Sequence, residues 1–482
     1  MIGYFLITLF CLYYILLYLQ EYHYHYNGFI GILKKGIKDK KNYLLLVTLF
    51  GLCTSISKYF ILIVFVGFCF FVLLKLEDKL IIKLKFTKRV IRNIILNIII
   101  YLLFYIFLYR YIFILPLFSL IIAFISFIIL EPIELLIKKH YLKKARKKIR
   151  RIHPLVIAIT GSAGKTSIKH FLYHILKDKY ITFMTKGSVN TVMGIVKAIN
   201  QEMSDLTEVA IFECGVSHCG DIDDILKVIE VDISIISTIF PQHLETFKSF
   251  ELLVNEKAKL GNAKKLHLAL DGIVNKLYQS NCDDVKIVGK DIILKDYQIG
   301  RYFSFQIKEK KYKWKCKVLG KNNLINILFA IYIANYLGLS FKYIERKVST
   351  LENVNNRLKV RYQNDKMIID DSFNSNYNGF CDALEVLKTM EGKKVVITPG
   401  IVSGGEYISQ YNSDIALKII NVASECYLIE SMVNKDIKEV FDKSLYEYHN
   451  VKDFNEAYNK VLRDEEVKVV LIENDIPDIY KG

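Results

Sequence analysis

The run Thr160-Gly161-Ser162-Ala163-Gly164-Lys165-Thr166-Ser167 carries the strongest chemical signal in this 482-residue chain. Small residues let backbone N–H groups approach an anion, and a helix starting after Gly164 adds positive potential. Lys165 offers a cation to terminal phosphates and Thr166 a hydroxyl to Mg²⁺. A phosphate loop of this kind needs a strand before it and a helix after it. Leu155 to Thr160 is an apolar run of strand length, and Ile168, Phe171, Leu172, Ile175 and Leu176 recur at helical spacing. Gly161 through Ser167 are therefore the expected ATP-binding residues. The general Walker pattern has glycine at position 159, where this chain has Ile159.

Further candidates follow other apolar runs. Glu213 closes the run from Val209 to Phe212, and His243 follows the run from Ile233 to Ile239. Parallel α/β sheets gather ligand-binding residues at strand ends, so one crevice could hold Thr166, Glu213 and His243. Taken alone, Glu213 is equally a surface carboxylate and His243 a satisfied loop histidine. Lys257 stands in the lysine-rich segment Asn255-Glu256-Lys257-Ala258-Lys259-Leu260, which also reads as a solvated helix face. Asn190, in Gly187-Ser188-Val189-Asn190-Thr191, also suits a turn, as do Asp370 and Asp371 before Ser372-Phe373-Asn374-Ser375-Asn376.

In compressed form the loop, TGSAGKT, resembles the phosphate loop of the Mur ligase family, and the order of the later motifs is similar to that family as well. The resemblance implies a P-loop central ligase domain and a Rossmann-like C-terminal ligase domain. It implies that Glu213 binds Mg²⁺, that His243 in Ser237–Phe247 binds a second metal, and that Lys257 is carbamylated by CO₂. Thr166, Glu213, His243 and Lys257 are then the expected metal set, and Lys165, Glu213, His243 and Lys257 the catalytic one. Where the family has a glutamate after that lysine, this chain has Lys259. Gly320-Lys321-Asn322-Asn323-Leu324-Ile325-Asn326 resembles the family's GxHNxxN segment with Asn322 for histidine, which implies that Asn323 and Asn326 reach adenine. Asn356-Arg357-Leu358 makes Arg357 a phosphate contact. DDSFNSN, from Asp370 to Asn376, resembles the branch that adds D-alanyl-D-alanine and assigns Asp371 to the ribose or phosphates.

The elements that must position these residues begin near Leu155, where short apolar strands alternate with amphipathic helices, as in parallel α/β sheets. Tyr302 to Ile307 and Tyr312 to Val318 look like a small β extension, and Met367–Asp370, Lys394–Thr398, Cys426–Ile429 and Val467–Ile472 like a second α/β unit. The expected domains are residues 154–318 and 319–482, each of about 160 residues.

The preceding region differs. Apolar runs Ile2 to Leu19, Tyr43 to Ser57, Tyr59 to Leu74, Asn93 to Tyr109 and Ile112 to Leu130 approach the roughly 20 residues that cross a bilayer. Residues 1–137 are expected to be an α-helical transmembrane region of about five spans, with Tyr43 to Leu74 either one span or a hairpin of two. Basic clusters at 34–41, 75–89 and in the linker 138–153 would then face the cytoplasm, together with the ligase domains of a multi-pass cell-membrane protein. The net charge of +17 is accounted for by these clusters meeting membrane lipids, so no nucleic acid is required. The nine cysteines include no CxxC pair and read as reduced structural thiols.

The reading that follows is an ATP-dependent carboxylate–amine ligase working through an acyl phosphate. Its partners would be a cell-wall precursor, lipid-linked or not, and an amino acid or dipeptide. Two alternatives remain: a ligase of the same family building a poly-γ-glutamate capsule, and an ATP-driven membrane switch without amide synthesis.

Overall fold

A computed structural model describes residues 86–108, 115–241, 244–247, 249–271, 283–373, 376–402, 405–431 and 433–474. The chain divides into one unit ending at Lys139 and another from His140 to Tyr480.

The described part of the first unit is helical, with a helix at Lys88–Leu108 and the start of the long helix Leu115–Ile152. Among the described residues no helix is long and apolar enough to cross a membrane. This corrects the expected transmembrane region and the multi-pass membrane location. In the first helix Lys88, Arg89 and Arg92 fill the opening turns, and Asn93 and Asn97 are buried, with Asn97 Nδ2 donating to Asn93 O at 2.8 Å. In the second, Glu131, Pro132 and Glu134 interrupt the apolar run after Leu130. Arg92 donates through Nε and Nη2 to both Glu134 carboxylate oxygens at 2.7 and 2.8 Å. The expected spans at 2–19, 43–57 and 59–74 lie outside the described residues.

The basic end of the long helix is engaged with protein. Ala145 and Ile149 are buried in a core of the second unit, Lys148 Nζ donates to Met203 O at 2.5 Å, and Arg150 and Arg151 pair with Glu230 and Asp205. These three basic side chains are thus held by protein groups.

The second unit contains two sheets. The first has nine strands in the order β2-β3-β1-β4-β5-β6-β7-β8-β9. They are β1 Leu155–Thr160, β2 Thr182–Met184, β3 Val209–Glu213, β4 Ile233–Ile236, β5 Leu266–Leu270, β6 Asp284–Val288, β7 Ile292–Gln298, β8 Tyr302–Ile307 and β9 Lys310–Lys315. Strands β2 to β6 lie parallel around β1, and β7, β8 and β9 continue the sheet as an antiparallel meander. The small β extension thus joins the main sheet. On β1, Ile157 and Ile159 enter one core while Val156 and Ala158 enter the opposite one, the period-two alternation of a strand covered on both faces. Each fully buried aliphatic side chain contributes about 1.5–3 kcal/mol relative to exposure. One face is covered by helix Lys165–Leu176, which sends Ile168, Phe171, Leu172 and Ile175 into the core, together with helix Lys321–Tyr336.

The second sheet has the order β10-β11-β15-β12-β13-β14. Its strands are β10 Lys359–Gln363, β11 Lys366–Asp371, β12 Lys393–Thr398, β13 Glu425–Ile429, β14 Tyr448–Val451 and β15 Val467–Glu473. All neighbours are parallel except β10, which runs antiparallel to β11. β1 lies between β3 and β4, where the chain order reverses across the sheet, and the loop that follows it opens at this switch point.

Candidate active site

The loop after β1 is built by glycines that no other residue could replace without strain. Gly161 has φ +145°, and a Cβ there would lie 2.0 Å from Ser237 Oγ; Gly164 has φ +82°, and a Cβ there would lie 2.6 Å from Asn326 Oδ1. Ser237 fixes the loop from β4, its hydroxyl donating to Ala163 O at 2.5 Å, while Ser162 N donates to Thr238 O at 2.7 Å. Lys165 folds over the loop and donates to Gly161 O at 2.7 Å. Burial lowers its pKa to about 8 against the opposing pull of Glu213.

Thr166 opens the helix and Glu213 ends β3, and the two meet: Thr166 Oγ1 stands 3.0 and 3.2 Å from the carboxylate oxygens. Arg357 Nη2 donates to Thr166 Oγ1 at 3.1 Å, and its guanidinium lies 4.5 Å from the Phe373 ring centroid. The turn that presents Arg357 is strained, with Asn356 at φ 58° and Leu358 at φ 54°, a conformation bulky residues seldom adopt. Asp371 holds it by accepting from Leu358 N at 3.1 Å. Burial raises the Asp371 carboxyl to about 7, opposed by Arg357.

Lys257 reaches the loop from helix Phe250–Ala258, is 1% exposed, and donates to Ser162 Oγ at 3.0 Å. Burial, then the nearby Lys165 charge, holds its pKa well below the usual lysine range. Lys259, at the position of the family's glutamate, points elsewhere and pairs with Asp223 and Glu256. Asn190 lies against Gly215 at the end of β3, its carbonyl accepting from Gly215 N at 2.8 Å. His243 lies outside the described residues.

A cavity of about 580 Å³ opens between the two sheets' loops, lined by Gly164, Thr238, Asn323, Asn326, Arg357 and Asp371 among others. Ala163 and Ser167 also line it, while Gly161 and Ser162 shape the loop behind them. Asn323 Nδ2 donates to Leu319 O at 3.0 Å.

Two contributors were not singled out from the sequence. Asp382 accepts from Lys321 N and Asn322 N at 2.8 and 2.9 Å, capping helix Lys321–Tyr336 from a distant segment. Lys169 is fully buried and pairs with Glu213 at 3.0 Å. Its spacing one turn after Lys165 is a usable signal; nothing local marks Asp382.

The arrangement can hold a polyphosphate over the loop, with Lys165 and Arg357 as cations and Thr166 and Glu213 as oxygen donors. The Thr166 hydroxyl oxygen, 3.0 and 3.2 Å from the two Glu213 carboxylate oxygens at the loop's first helical turn, makes with them a set of hard oxygens that fits a divalent cation such as Mg²⁺.

Residues 159–334 match the Mur ligase middle domain. The chain is 26% identical over 322 residues to the UDP-N-acetylmuramoyl-tripeptide–D-alanyl-D-alanine ligase of Borreliella burgdorferi, covering 64% of this chain and 69% of that protein. It is 24% identical over 283 residues to the Bacillus subtilis ligase of the same name, covering 56% and 61%. Among solved structures, MurF ligase from Thermotoga maritima in complex with ADP superposes with TM-score 0.62 at 22% identity, covering 70% of this chain and 81% of that one. The structural likeness establishes the fold.

Proposed function

We propose that this chain, a member of the Mur ligase family related to the MurF ligases, is an ATP-dependent carboxylate–amine ligase of peptidoglycan precursor synthesis. The observation that carries the reading is the convergence of Lys165, Thr166, Glu213 and Arg357 on one phosphate loop. A polymer of another kind, or a switch without amide synthesis, is not favoured by relatives that are named as MurF ligases.

In this reading the nucleotide lies in the cavity beside Asn323, Asn326 and Asp371, with its phosphates over Gly161 to Ser167. A carboxylate of the muramoyl peptide attacks the γ-phosphorus, and ADP leaves. The amine, an amino acid or D-alanyl-D-alanine, then attacks the acyl carbon, an amide bond forms, and inorganic phosphate leaves with one carboxylate oxygen. Such a step needs alignment and charge neutralisation more than a covalent protein nucleophile. Lys165 and Arg357 neutralise the phosphates, and the strained turn at Asn356 and Leu358 fixes Arg357 above them. Thr166 and Glu213 would hold Mg²⁺, joined by Lys257 as a carbamate and by His243. Bound Mg²⁺ supplies charge compensation at the phosphate oxygens.

Phosphate release by the full chain, given ATP, a UDP-muramoyl tripeptide and D-alanyl-D-alanine singly and together, tests this reading. Release that requires all three, and that Lys165→Ala abolishes in a folded variant, is expected. Equal release without the amine would overturn it.

A further inference from the structure

Among the described residues, Lys169 is a cation at this site that the reaction as described does not use. Its side chain is fully buried, and Nζ donates to Glu213 Oε2 at 3.0 Å and to Gly187 O at 2.5 Å, with Thr185 Oγ1 at 3.5 Å. Three segments therefore meet at one ammonium: the helix after the phosphate loop, the end of β3, and the loop that carries Asn190. Burying such a pair strips water from both charges, and an apolar pair of similar volume often gives a more stable fold. Stability alone is thus a weak reason for the arrangement. What it fixes is geometry: Oε2 of Glu213 accepts from Lys169 Nζ and also lies 3.0 Å from Thr166 Oγ1, while Oε1 lies 3.2 Å from Thr166 Oγ1 and has no ion-pair partner among the described residues.

We propose that Lys169 is a positioning residue that limits Glu213 to offering a single oxygen, Oε1, to the divalent cation, and so sets the preference for Mg²⁺ over Ca²⁺. The inference rests on the reading of Thr166 and Glu213 as the metal-binding pair. A carboxylate with one oxygen already held binds through the other, which suits the small octahedral Mg²⁺. Ca²⁺ accepts two oxygens of one carboxylate and a larger coordination number. The bond to Gly187 O also ties this oxygen's orientation to the 187–191 loop, so that cation binding and loop position are coupled through one side chain.

The test is equilibrium binding of ATP to the full chain by calorimetry, in EDTA, in Mg²⁺ and in Ca²⁺, for the native protein, Lys169→Met and Lys169→Leu, with thermal unfolding recorded for each. In EDTA, Lys169→Met is expected to bind ATP within about twofold of native, whereas its Mg²⁺-dependent gain in affinity falls about tenfold or more, the usual effect of removing a partner of a metal-ligating group. Its Ca²⁺-dependent gain is expected to be kept or to rise. A merely structural lysine would lower the unfolding temperature and leave the Mg²⁺ to Ca²⁺ ratio unchanged, and that result overturns the proposal. Should Lys169→Met fail to fold, Lys169→Leu removes the same charge and reads the same ratio. A drop in Mg²⁺ preference supports the proposal, and an unaltered preference overturns it. A native protein whose ATP affinity ignores Mg²⁺ would sink the metal reading of Glu213 itself. A native gain that Lys169→Met retains would sink the role of Lys169 alone.

Discussion

The hydroxyl of Thr166 stands 3.0 Å from the Glu213 carboxylate, although 47 residues separate them in the chain. β1 and β3 are parallel neighbours, with Ile159 opposite Glu213, so the loop after one strand necessarily opens beside the carboxylate that ends the other. Arg357, from the far side of the cavity, reaches the same hydroxyl at 3.1 Å.

Arg357→Lys keeps the charge but loses the planar fork that bonds Thr166 and stacks on Phe373. ATP affinity should fall about tenfold, or about 1.4 kcal/mol, with little change in unfolding temperature. Calorimetric titration checks this, and unchanged affinity would remove Arg357 from the phosphate site.

Gly161→Ala places a Cβ 2.0 Å from Ser237 Oγ at a backbone φ of +145°. The loop must shift, so a loss of about 1–3 kcal/mol in stability is expected. ATP binding should be lost along with it. A variant that binds ATP normally would show that the loop's shape is not what holds the nucleotide.

Lys257→Ala should lose most activity, Lys257→Arg should not restore it, and formate should partly rescue the alanine variant by supplying an anion in the gap. The buried, low-pKa amine beside Ser162 is the form that CO₂ requires, since carbamylation proceeds through neutral lysine. Removing CO₂ and bicarbonate should slow the native enzyme. Full activity of Lys257→Arg would make this lysine structural.

His267, 1% exposed on β5, lies 2.8 Å through Nδ1 from Ser234 Oγ, and burial lowers its pKa from 6.5 to about 4. Between those values the unfolded chain binds more protons than the folded one. The stabilisation is therefore complete above pH 6.5 and is lost as pH falls toward 4, by about 3 kcal/mol in all. Denaturant unfolding across this range should show the loss in the native chain and a flatter profile in His267→Gln. Identical profiles would contradict it.

Much of the site could be read from sequence because its parts are local. The glycines of the phosphate loop, the apolar run of β1 and the helical spacing after Lys165 all lie within one short segment. What escaped depends on contacts between distant segments. Asp382 caps Lys321 from 61 residues away, and Lys169 gains its meaning only from Glu213, 44 residues on. The runs around Asn93 to Leu130 misled for a related reason: average hydropathy does not register the Arg92 to Glu134 pairing, the buried asparagines, or Glu131 and Pro132 breaking the apolar stretch. The end of the long helix is amphipathic, and Ala145 and Ile149 are seen as core positions only once the sheet they cover is in place.

The central claim, that a substrate carboxylate is activated on ATP before an amine takes it, is tested most directly by oxygen transfer. A UDP-muramoyl tripeptide labelled with ¹⁸O in its terminal carboxylate is incubated with the full chain, ATP and D-alanyl-D-alanine, and the released phosphate is examined by mass spectrometry. The acyl-phosphate route predicts that each phosphate carries one oxygen from the labelled carboxylate and that each amide formed retains the other. Phosphate free of label, formed at the same rate whether or not the peptide is present, would contradict it.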